Sequence, residues 1–69
     1  MMRENTINPG DKFTRVENSR TVWVVVREAV LAQVMPPHFQ LAHAMIRSRT
    51  IMMSASALLD KNLFKRIEN

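Results

Sequence analysis

Sixty-nine residues allow one domain near the lower limit of unaided folding, because so short a chain buries only about 60% of the surface it exposes when unfolded. The absence of cysteine excludes disulfides and thiolate metal sites, and with His38 and His43 as the only histidines a zinc site would have to recruit carboxylates. Ten Lys and Arg against six Asp and Glu give a net charge of +4, which favours anionic partners.

The longest unbroken apolar run, Val22 to Val26, falls far short of the roughly 18 residues a spanning helix needs, so no membrane segment is expected. Met1-Met2-Arg3-Glu4-Asn5-Thr6 has no apolar stretch behind its charge, so no secretory signal is read and the cytoplasm is the expected compartment. No metal or other cofactor is expected. With so little core to build, extra stability is expected from self-association or a tight protein partner.

Residues 1–9 read as a polar, flexible arm, and 10–67 as a single small domain. Pro9-Gly10-Asp11 is a turn signal that uses the only glycine in the chain. Asp11 to Val16 reads as a first strand, Glu17-Asn18-Ser19-Arg20 as a turn, and Thr21 to Arg27 as a second strand completing a hairpin, because Thr, Val and Trp suit a pleated surface. That second strand is apolar on both faces. If Val22, Val24 and Val26 point inward, Trp23 and Val25 stand outside, covered by a partner subunit, by the Val30 to Met35 segment or by the C-terminal strand. The reverse register makes Trp23 a core residue.

Met35-Pro36-Pro37 ends whatever precedes it. Beyond it two readings compete. In the β reading, His38 to Ala42 and Thr50 to Ser54 are strands, Ser54 to Asp60 is a short helical turn opened by a Ser cap, and Leu63 to Ile67 is a last strand. In the helical reading, Leu41, Met45, Met52, Leu59 and Leu63 approximate one stripe, giving an α+β protein with an N-terminal hairpin and a helical C-terminal half. An internal echo favours strands: Ser19-Arg20-Thr21-Val22-Trp23 returns as Ser48-Arg49-Thr50-Ile51-Met52. The expected core is Phe13, Val22, Val24, Leu41, Ile51, Leu58 and Ile67.

Gly10-Asp11-x-Phe13, Trp23-x-Val25, Pro37-His38-x-x-Leu41, Ser54-x-x-x-Leu58 and Phe64-x-Arg66-Ile67, in that order, resemble the landmarks of small bacterial Src-homology-3-like (SH3-like) barrel proteins. The resemblance implies an all-β fold of about five antiparallel strands with one helical turn before the last. The type II dihydrofolate reductases use such a barrel, with a Gln-Ile-Tyr motif late in the chain. Here the matching stretch is Thr50-Ile51-Met52-Met53-Ser54 and there is no tyrosine, so the resemblance does not carry that activity.

No catalytic constellation is read. His38 and His43 lie five residues apart, on opposite faces of a strand, and Ser54, Ser56 and Asp60 suit caps and turns before they suit a triad. One glycine cannot make a phosphate loop. The expected role is a non-catalytic structural or protein-interaction module that self-associates or docks through Trp23, Val25, Met52 or Met53. The adjacent pair Met52-Met53 is telling, since on a strand one of the two must leave the interior. The alternative is a basic nucleic-acid-binding module contacting phosphates through Arg27, Arg47, Arg49 and Arg66, although aromatic residues to stack bases are few.

Overall fold

The structure, a computed structural model, describes residues 6–29 and 37–68. Five strands form one antiparallel sheet: β1 Lys12–Arg15, β2 Asn18–Ala29, β3 His38–His43, β4 Thr50–Ser54 and, after the single turn of α1 Ala55–Leu58, β5 Phe64–Ile67. Their spatial order is β4-β3-β2-β1-β5, so the last strand returns beside the first. This is the expected all-β arrangement of five antiparallel strands, with a helical turn before the final strand.

The opening turn shows how the sequence sets local structure. Asp11 N–H donates to the Asn8 carbonyl at 3.0 Å across Pro9 and Gly10, and Gly10 sits at φ +94°, the third position of a type II turn, which requires positive φ. Asn8 N–H donates to Asp11 Oδ2 at 2.9 Å and closes the loop. The fold reaches further toward the N-terminus than the boundary read at Gly10, since Ile7 packs against the core.

The β1–β2 turn falls at Val16 and Glu17, before the expected Glu17 to Arg20. Pairing decides this over turn propensity. Thr14 lies opposite Val22, the register then shifts so that Arg15 meets Asn18, and the buried Thr14 hydroxyl donates to the Thr21 carbonyl at 2.8 Å, with the Asn18 carbonyl at 3.1 Å.

The core consists of Phe13, Trp23, Val25, Phe39, Leu41, Leu58 and Phe64, with Ile7, Ile51, Met53 and Ala55 partly buried against it. Phe13, Leu41 and Leu58 are as expected. Val22, Val24 and Ile67 are not core: they are half-buried on the opposite, outer face. The reverse register of β2 therefore holds, with Trp23 opposite Phe13 and His43, and Val25 opposite Leu41. Indole carries far more apolar area than the isopropyl group of valine, so when both faces are apolar the interior takes the tryptophan. Val26 is the extra residue of a β-bulge between Val25 and Arg27, which turns Arg27 outward beside Gln40.

β4 has the bounds read from the sequence, and Ser54 caps α1 as expected, its Oγ accepting from Ala57 N–H at 3.1 Å. The helical alternative fails on burial: Leu41 is core, while Met45, Met52 and Leu63 are exposed, so the stripe has no common face. The Val30 to Met35 segment lies outside the described residues.

Candidate interaction site

Side chains of β4 alternate across the sheet. Ile51 and Met53 lie opposite Leu41 and Phe39 and turn toward the core, whereas Thr50 and Met52 lie opposite the outward Ala42 and Gln40. Of the adjacent methionines Met52 is the one that leaves the interior, 48% exposed.

The backbone phase of β4 follows from two flanking bonds. His43 N–H donates to the Arg49 carbonyl at 2.8 Å, and Ala55 N–H donates to the Pro37 carbonyl at 2.7 Å. In an antiparallel ladder alternate residues exchange both bonds with the neighbouring strand, so Arg49, Ile51, Met53 and Ala55 face β3. The N–H and C=O groups of Thr50 and Met52 therefore point away from β3. So does the N–H of Ser54, whose carbonyl opens α1. β4 is the terminal strand of the sheet, and β3 is the only strand paired with it among the described residues.

The two edges differ in chemistry. β5 reads Phe64-Lys65-Arg66-Ile67, and charges of this kind discourage strand addition. β4 reads Thr50-Ile51-Met52-Met53-Ser54, with neither charge nor proline. On the outer face Met52 stands directly opposite Gln40, to which Arg27 is bonded; beyond that polar row Val22, Val24 and Ala42 are half-buried, and Val26 is 44% exposed.

Of the expected contact residues, Trp23 and Val25 are corrected to core. Trp23 is 7% exposed and meets His43 edge to face with ring centroids 5.5 Å apart. Met53 packs partly buried against the core, and Met52 alone of the four stands out from the surface. Val26 and the turn residues Met45 and Ile46, all exposed, were missed. The signal for Val26 is the third valine on one face of a two-sided strand, a pattern that reads equally well as interior.

The four arginines are not gathered. Arg27 Nε donates to Gln40 Oε1 at 3.0 Å on the outer face. Arg47 and Arg49 lie in the exposed β3–β4 connection, and the three residues from Gln40 to His43, the partner of Arg49, span about 10 Å. Arg66 has a structural role. Its guanidinium bonds Asp11 Oδ2 at 3.0 Å and the Thr6 carbonyl at 2.9 Å, and lies 5.0 Å over the Phe13 ring. That ion pair is largely buried.

His43 Nδ1 accepts from the N–H groups of Met45 and Ile46 at 3.0 and 3.1 Å and so shapes the β3–β4 connection. Among the described residues no group of His, Asp or Glu side chains converges as a metal site, and no helix is long and apolar enough to cross a membrane. A cleft of about 500 Å³ has core side chains, Phe13, Leu58 and Phe64, among its walls, with Lys61, Lys65 and Glu68 also lining it. No protein-family model matches the chain, and neither a curated protein nor a solved structure matches it.

Proposed function

We propose that this chain is a non-catalytic, self-associating interaction module whose contact surface lies on the β4 side of the sheet. The observation that carries the reading is Met52, 48% exposed on an edge strand that carries no charge. A core of seven buried hydrophobic side chains among the described residues is small, and contact with a second copy supplies apolar burial that one chain lacks.

Sedimentation equilibrium from roughly 1 to 100 μM, the range of micromolar association, tests this directly. A mass that rises with concentration above the 8.0 kDa of one chain supports the module. A single chain throughout overturns it.

Phosphate binding draws less support, because Arg66 is engaged by Asp11 and the remaining three arginines are dispersed. Titration with a single-stranded oligonucleotide at low salt checks it: phosphate contact requires affinity that falls steeply as salt rises.

A further inference from the structure

We infer that two copies join edge to edge, β4 against β4, antiparallel about a two-fold axis at Met52, so that one sheet runs through both. This deepens the self-association proposed above and rests on it.

The groups facing away from β3 belong to Thr50, Met52 and Ser54, and Thr50 and Ser54 lie two residues to either side of Met52. A two-fold axis through Met52 brings each such group opposite one it can bond. The Met52 N–H of each copy meets the Met52 carbonyl of the other, and the Ser54 N–H of each meets the other's Thr50 carbonyl. The pattern is self-complementary, as an isologous interface requires.

Side chains agree with this arrangement. Directly paired residues share a face, so the two Met52 side chains meet on the outer surface, where each is half exposed in the single chain. No charge lies on the strand to repel its copy, whereas a β5 edge pairing with its own copy would bring Lys65 and Arg66 against their counterparts. Hydrogen bonds, absent from a face-to-face apolar contact, fix the register.

The test compares wild type, Met52→Pro, Met52→Lys and Val26→Asp by sedimentation equilibrium, with circular dichroism to confirm folding. Proline at Met52 removes an N–H that faces outward, so it costs no bond within the chain, and edge strands tolerate it. The lysine places like charges at the axis. Val26→Asp adds a charge to the outer face away from the edge. Edge pairing predicts a wild-type dimer, folded monomers for both Met52 variants with association weakened about a hundredfold or more, and a dimer for Val26→Asp. If Met52→Pro does not fold, Met52→Lys decides.

A dimer that survives the Met52 changes overturns the edge pairing and leaves self-association standing. So does a dimer lost in Val26→Asp but kept in Met52→Pro, which would mean face packing. A wild-type assembly larger than two chains overturns the two-fold arrangement in favour of head-to-tail joining. A wild-type monomer at every concentration overturns both proposals.

Discussion

Gly10 sits at φ +94° with open space where a Cβ would stand, so an L side chain there meets strain from the backbone alone. Gly10→Ala should cost about 1–2 kcal/mol, the ordinary penalty of left-handed backbone for an L residue. D-alanine at the same position, introduced by chemical synthesis, should instead stabilise by about 0.4–1 kcal/mol, because it suits positive φ and narrows the unfolded ensemble. Urea melts of the two peptides read the difference. Arg66 is the second residue on which the N-terminal turn depends. Losing its guanidinium leaves the largely buried Asp11 carboxylate without its counter-charge, so Arg66→Met should cost about 3 kcal/mol or more. The double change with Asp11→Asn should cost less than the single one, since it removes both charges. Equal losses would show that the pair does not hold the turn to β5.

At the scale of elements, the register of β2 settles where Trp23 lies. Packed among Phe13, Val25 and Leu41, the indole should keep blue-shifted emission at every protein concentration until circular dichroism loses its β signal. A red shift on dilution with the sheet intact would place Trp23 at an interface instead. Leu41→Ala, at a side chain fully buried opposite Val25 and Ile51, should destabilise by about 2–5 kcal/mol in a denaturant melt. The bounds of β4 were legible because a Ser-Arg turn precedes a β-branched run, and the Ser54 cap because a serine side chain can bond the third N–H beyond it. The facing of β2 was not legible, because Val22 and Val24 on one side match Val25 on the other in character. The Val16 turn was not legible either: valine is a poor turn former, and the pairing of Thr14 with Val22 places it there. Arg66 looked like a free surface arginine because its partner lies 55 residues away, beyond any local pattern.

Taken whole, the molecule is a sheet with two unlike ends. β5 is charged, and its Arg66 ties back to the N-terminal turn. β4 is uncharged and presents alternate backbone groups outward, with Met52 above them. Within the β4 candidate site, the outward-facing Met52 was legible from the methionine pair. The open edge was not, because strand order depends on β5 returning beside β1. Amide hydrogen exchange at Met52 and Ile51 tests the account most directly, since Ile51 N–H bonds within the chain while Met52 N–H faces the edge. At associating concentrations both amides should exchange slowly. On dilution below the dissociation range Met52 should become fast while Ile51 stays slow until the chain unfolds. Fast exchange at Met52 at every concentration, with Ile51 still protected, would contradict the pairing of β4 with a second copy.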